Sequence, residues 1–174
     1  MGRWIALLLL SALFAQPAAG KGVTRMETLK ITSPAFSTGG AIPAKYTCDG
    51  ADVSPALAIA AVPAGTASLA LIMDDPDAPM GTWVHWVVWN IPAQTREIPE
   101  NGLPSGTAQG KTSWNRNKYG GPCPPSGTHR YFFKFFALDT QLKLGDATTI
   151  SDLEKAMKGH ILAKGELMGT YHKR

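Results

Sequence analysis

Three short runs limit what this chain can fold into: Ser68-Leu-Ala-Leu-Ile-Met73, Val84-His-Trp-Val-Val-Trp-Asn90 and Tyr131-Phe-Phe-Lys-Phe-Phe-Ala-Leu138. Each is apolar or aromatic and is bounded by Asp, Pro, Gly or Asn. Runs of this length and composition read as buried strands, because a helix needs more residues to cover an apolar stripe. The 18 glycines and 13 prolines among 174 residues point the same way, toward many tight connections and short strands. With 44% hydrophobic and 17% charged residues, the chain can bury a core and is not of disordered composition.

Residues 1–20, MGRWIALLLLSALFAQPAAG, place Arg3 before an apolar run from Trp4 to Ala15, with Ala18 and Gly20 at the −3 and −1 positions of a cleavage site. This is the pattern of a secretory signal peptide; an uncleaved signal anchor is the alternative. The run is about twelve residues, short of the roughly twenty that span a bilayer as a helix. No later stretch approaches a span, so stable membrane insertion is not expected. The mature chain, residues 21–174, reads as one domain exported to the periplasm or the medium. Cleavage removes Arg3 and no acid, which lowers the formal charge from +4 to +3. The basic residues interleave with acidic ones, so nucleic acid is not an expected partner.

Cys48 and Cys123 both lie in the mature chain. In an oxidising compartment they are expected to pair, and two free thiols are the alternative. Other elements read less sharply. Met26–Ser33 alternates loosely as a strand, and Glu166–Tyr171 alternates as a last one. A helix is expected from Ser151, where Ser151-Asp-Leu-Glu154 fits a capping box and Leu153, Ala156, Met157 and Ile161 recur at helical spacing. Between the second and third apolar runs lie forty residues, Ile91 to Arg130, rich in Gly and Pro; loops of this length are often functional.

Chemistry concentrates at two places. Asp75 and Asp77 flank Pro76 directly after an apolar run, and such neighbours need a cation or several N–H donors to stay charged together. They form either a site wall or a turn in which the side chains bond nearby backbone N–H groups. His85 sits in an apolar run beside Trp83 and Trp86, and His129 follows a Pro-rich turn; both stand at loop-to-strand junctions. Each is either a satisfied core histidine or part of a shared site. If the junctions meet, the imidazoles supply donors, Asp75 and Asp77 orient them, and the loop around Gly121 supplies backbone amides to a small anion. Affinity would then fall as pH rises and the imidazoles lose charge. Arg130 is read as structural, reaching Asp77 to staple two loops. The Trp-rich run around Trp86 and Trp89 could serve a core or an interface. His160 and His172 read as structural or solvent-facing. No G-x-S-x-G elbow and no HExxH motif occurs, so neither a catalytic nucleophile nor a metal is assigned.

The residues Asp75-Pro-Asp-Ala-Pro79 and Gly127-Thr-His-Arg130 resemble the phosphatidylethanolamine-binding protein family, also called Raf kinase inhibitor-like. Tyr46-Thr-Cys-Asp-Gly50, Ser54-Pro55, His85-Trp86-Val87-Val88, Tyr119-Gly-Gly-Pro-Cys-Pro-Pro125 and Gly159-His-Ile-Leu162 extend the likeness to its bacterial and archaeal branch. The resemblance implies a mostly β fold of two antiparallel sheets with Greek-key connections and a few peripheral short helices. It also implies a pocket for phosphate, phosphorylated headgroups or similar anions. By motif matching, Asp75, Asp77 and Pro79 form one wall, Trp83 and His85 the next, and Pro124, Pro125, His129 and Tyr131 the facing side. Eukaryotic members carry a longer acidic-loop segment than Met80-Gly-Thr82, so the pocket here should be more open. The expected function is non-catalytic binding or modulation, without a cofactor. The alternative is inhibition of serine proteases through an exposed loop such as Leu103–Tyr119, an activity the resemblance also implies. A homodimer is expected from the resemblance alone.

Overall fold

Strands form wherever the apolar runs lie, and they extend beyond them. The computed structural model describes residues 27–173; the expected signal peptide, 1–20, lies outside them. In chain order the elements are β1 (Glu27–Thr28), β2 (Lys30–Thr32), β3 (Leu57–Ala60), β4 (Ser68–Asp75), β5 (Trp83–Pro92), β6 (Glu97–Ile98), β7 (Ala108–Gln109), β8 (Thr128–Leu138), α1 (Ile150–Met157) and β9 (Ile161–His172), with a 3₁₀ turn at Ala44–Tyr46. A six-stranded sheet has the order β1-β9-β8-β4-β5-β7, and a three-stranded sheet the order β2-β3-β6. Within the large sheet β8-β4-β5-β7 is a Greek key, because β8 returns by a long connection to lie beside β4.

Among the described residues the named strands pair antiparallel except that β1 runs parallel to β9 at the sheet edge. The loosely alternating segment near Met26 is thus two short strands divided between the sheets. His129 is the second residue of β8, at the loop-to-strand junction expected of it.

The core is double. Between the sheets pack Leu69, Leu71 and Met73 of β4, Trp86 and Val88 of β5, and Tyr131, Phe133 and Phe135 of β8, against Ile31, Leu57 and Ile59 of the small sheet. On the outer face Ala70, Ile72, Val87 and Trp89 pack beneath Leu153 and Met157 of α1. Covering both faces buries every residue of β4, which is why its sequence shows no polar alternation. Trp86 and Trp89 are 2% and 1% exposed, so the Trp-rich strand belongs to the core and not to an interface.

The helix starts earlier than its sequence suggests. Thr149 is the N-cap: its side chain accepts from the Asp152 N–H while Asp152 accepts from the Thr149 N–H. Ser151 and Glu154 have compatible spacing, but Ser151 already lies in the first turn. Gly159, at φ +86°, stops the helix, so Ile161 opens β9 opposite Leu138 instead of extending the helical face.

Cys48 and Cys123 form a disulfide with their Cα atoms 5.4 Å apart and 75 residues between them in sequence. It joins the 47–52 turn to the proline-rich loop that precedes β8. Closing a loop of this size removes unfolded-chain entropy, so Cys48→Ala with Cys123→Ala should lower stability by about 4 kcal/mol. Urea denaturation of the oxidised protein and the double variant measures this; equal midpoints would mean that local hydrogen bonds suffice.

Candidate functional site

The antiparallel pairing brings the end of β4 beside the starts of β5 and β8, and the polar residues singled out in the sequence gather there. Strand alternation turns Asp75 and His129 to the inner side. His85 gets there by a different route. Met73 pairs with Trp86 and Asp74 with Val84, which leaves His85 as the extra residue of a β-bulge. The bulge allows His85 and Trp86, neighbours in sequence, both to face inward. Gly120 satisfies the residue left out of the ladder: its N–H donates to the His85 carbonyl at 3.1 Å, and His85 Nδ1 donates to the Gly120 carbonyl at 2.7 Å.

Asp75 organises the opposite side. Its Oδ1 accepts from the Asp77 N–H at 2.9 Å, and its Oδ2 accepts from His129 Nδ1 at 2.7 Å, with both side chains buried. The Asx-type turn and the site wall, alternatives in the sequence, are here one structure. Asp77 turns away and is held by Arg130 through Nε at 2.9 Å, Nη2 at 2.7 Å and the backbone N–H. Arg130 therefore staples the acidic loop to β8.

The resulting cavity, of about 420 Å³, has Asp75, His85 and His129 as its polar lining. Pro79, Trp83 and Pro125 also line it, as do Ala78, Met80, Trp114 and Cys123. Asp77, Pro124 and Tyr131 do not. Asp77 is committed to Arg130, and Pro124 is buried. Tyr131 lies edge-on against the His85 ring with centroids 5.2 Å apart. Its hydroxyl is buried near Asp75 and the Cys123 backbone without a well-formed hydrogen bond to either. Burial first, and the Asp75 charge second, raise the Tyr131 pKa far above the usual phenol range, so it stays protonated.

Trp114 is the main residue that sequence reasoning missed. It comes from the long loop and packs edge-on against His85 at 5.0 Å and Trp83 at 5.4 Å. An aromatic residue in the otherwise polar stretch Thr112–Asn117 was the available signal. A smaller cavity of about 130 Å³ beyond Trp114 and Cys123 is bordered by Arg116 and Lys118 and has no imidazole.

The backbone of the Gly121 loop plays the opposite part to the one expected. Gly120 presents a carbonyl to His85, while the Gly121 N–H is taken by Asp52 Oδ1 at 2.6 Å, so neither amide is free for an anion. His85 differs from expectation too. Burial holds its pKa below the ordinary imidazole value, against the opposing pull of the Gly120 carbonyl and the Asp75 charge. Neutral His85 with Nδ1–H donating has a lone pair on Nε2. Neither His85 Nε2 nor His129 Nε2 has a hydrogen-bond partner among the described residues. Trp83 Nε1 is buried and likewise without an acceptor.

Two expected outcomes follow from this geometry. Because the unfolded imidazole titrates near 6.5 and folded His85 below that, the unfolded chain binds more protons in the interval. Stability should be fully present above pH 6.5 and decline as pH falls from there toward the folded value, and His85→Phe should flatten that segment of a urea-midpoint profile. Asp77, lowered to about 2 chiefly by Arg130, acts in a separate window below pH 4. The second outcome concerns Gly120, where a Cβ would stand 2.5 Å from Trp114 Cζ3. Gly120→Ala should cost about 1–3 kcal/mol through overpacking and shift the Trp114 fluorescence and the His85 ring signals together. Unchanged spectra would mean that the Trp114 ring yields without disturbing the site.

The sequence matches the family model described as "Phosphatidylethanolamine-binding protein" over residues 32–172. A UPF0098 protein of Aquifex aeolicus is 49% identical over 150 residues, covering 82% of this chain and 88% of that one. A UPF0098 protein of Methanothermobacter thermautotrophicus is 45% identical over 150 residues, covering 83% and 99%. Among solved structures, Chlamydia trachomatis CT736, titled a putative phosphatidylethanolamine-binding protein homologue, superposes with a TM-score of 0.81 at 41% identity, covering 84% of this chain and 99% of that one. Escherichia coli YbcL, titled a new member of the mammalian family, gives 0.79 at 30% identity, covering 86% and 100%. With the fold, the pocket motifs and these matches in agreement, the chain belongs to the phosphatidylethanolamine-binding protein family.

Proposed function

We propose that this is an exported, non-catalytic binding protein whose cavity takes the anionic group of a phosphorylated small ligand or of a partner molecule. One observation carries the reading: two buried imidazoles, each fixed through Nδ1, share one cavity in which both Nε2 atoms lack a protein partner. Fixing one ring nitrogen sets the orientation of the other, so little order is lost when a ligand binds. Among the described residues lining the cavity there is no serine or threonine for either Nε2 to activate, which favours binding over turnover. The cavity-lining cysteine, Cys123, is held in the disulfide. The signal-peptide pattern of residues 1–20 supports export to the periplasm or the medium.

Protease inhibition through Leu103–Tyr119 is the weaker alternative, since that segment does not project freely. Ala108 and Gln109 pair with β5, and the Gly110 and Ser113 N–H groups donate to the Val87 and Val84 carbonyls at 2.9 Å.

The test is titration of residues 21–174 with inorganic phosphate and O-phosphoethanolamine, following the His85 and His129 ring signals by NMR at pH 6 and pH 8. Both rings should shift in parallel, with weaker binding at pH 8. His129→Ala should reduce affinity about tenfold or more, as expected for a lost charged hydrogen bond. Ring signals that do not respond to either compound would overturn the pocket reading.

A further inference from the structure

Resting on the anion-pocket reading, we infer that the cavity selects the monoprotonated form of a phosphate monoester, an anion that carries one O–H, over anions of the same shape and charge that carry none. The inference comes from the roles forced on the two imidazoles. A backbone carbonyl can only accept, so the contact of His85 Nδ1 with the Gly120 oxygen places a proton on Nδ1. The neutral ring then offers a lone pair at Nε2. A charged ring would be needed to make Nε2 a donor, and the surroundings work against that charge. His85 is 2% exposed, with the rings of Trp114 and Tyr131 packed perpendicular to it. The acids nearest to it, Asp75 and Asp74, are already committed to His129 and Lys134.

His129 is set up differently. Its Nδ1 is bonded to the buried Asp75 carboxylate, which fixes the ring, and in its doubly protonated form Nε2–H is a donor to an anion. The wall therefore presents a donor at His129 and an acceptor at His85. A hydrogen-phosphate monoester matches this set: its charged oxygens accept and its P–OH donates to His85 Nε2. A sulfate ester or a phosphate diester places an oxygen lone pair against the His85 lone pair, so a buried acceptor goes unpaired. A diester headgroup within a lipid is thus disfavoured relative to a free monoester. The collar of Pro79, Met80 and Trp114 gives the ester's carbon substituent apolar surface to rest on.

Methyl phosphate and methyl sulfate provide the comparison, because at pH 5.5 both are tetrahedral monoanions that differ by one proton; the second phosphoryl ionisation lies near pH 6. Dimethyl phosphate stands in for the lipid diester. Calorimetric titration at pH 5.5 should show methyl phosphate binding at least about tenfold more tightly than either. Between pH 5.5 and 7.5 the methyl phosphate affinity should fall more steeply than that of methyl sulfate, whose charge does not change, so the excess isolates the ligand's own proton. His85→Phe should bring the preference of methyl phosphate over methyl sulfate below about twofold. If that variant does not fold, ¹⁵N shifts of the His85 ring in the wild-type complex take its place: an Nε2 that stays unprotonated supports the inference, and a protonated Nε2 overturns it. Equal binding of methyl phosphate and methyl sulfate also overturns it and leaves the anion pocket standing. If none of the three compounds binds, the pocket reading falls and this one with it.

Discussion

The site depends on the pair of hydrogen bonds exchanged between His85 and Gly120. A strand that alternates regularly cannot send two consecutive residues to one face, yet both His85 and Trp86 point inward because β5 is bulged. A bulge leaves a residue outside the ladder, and an unpaired carbonyl in a buried strand is costly. The Gly120 N–H answers the His85 carbonyl, and the Gly120 carbonyl answers the imidazole. One residue of the long loop therefore compensates the backbone defect and fixes the ring that the defect exposes. Glycine is required there because the Trp114 ring occupies the space of a Cβ.

The long loop can serve in this way only because it is tied down at several points. Gly121 is held by Asp52, the Pro122 carbonyl accepts from the Cys48 N–H, the Tyr119 hydroxyl donates to the Tyr46 carbonyl, and Cys123 is bonded to Cys48. The 46–52 turn is in turn anchored to the end of β9, where Tyr171 and Lys173 both reach Asp49. The far wall of the cavity is thus a covalently and polarly fixed surface. A segment rich in glycine and proline gains its order from these partners rather than from periodic structure of its own.

The strands that carry the site were legible because burial on two faces writes an unmistakable apolar run, as in β4 and β8. His129, Asp75 and Arg130 were legible as polar residues placed against those runs. What could not be read was the bulge: residues 83–90 look alike whether His85 is paired or extruded, and only the register with β4 decides it. Trp114 was hidden for a related reason, since a lone aromatic in an irregular loop has no period to reveal its direction. The helix start was misplaced because Thr149 and Ser151 both have an acid three residues on, and packing of Leu153 and Met157 beneath the sheet chose between them. The short strands β3, β6 and β7 hold two to four residues each, too few to register as a pattern.

Three acidic residues within four positions would crowd one another if they shared a surface, and the backbone prevents this by sending them apart. Asp74 and Asp75 are successive strand residues, so the pleat sends them to opposite faces. Asp74 meets Lys134 on the outer side, and Asp75 meets His129 on the inner side. Asp77 lies beyond Pro76, where the turn carries it outward to Arg130. Each acid has a cation or imidazole from β8, the neighbouring strand, at Lys134, His129 and Arg130 respectively, so one strand balances the whole acidic loop. This pairing leaves Asp75 free to do what a buried carboxylate does best, which is to fix a histidine by one nitrogen and hold the other ready for a ligand. Asp74 accepts a cost for the arrangement, since its Oδ1 is buried without a partner. That cost falls on the outer face, away from the cavity, and the strand alternation that imposes it is the same alternation that aims Asp75 inward.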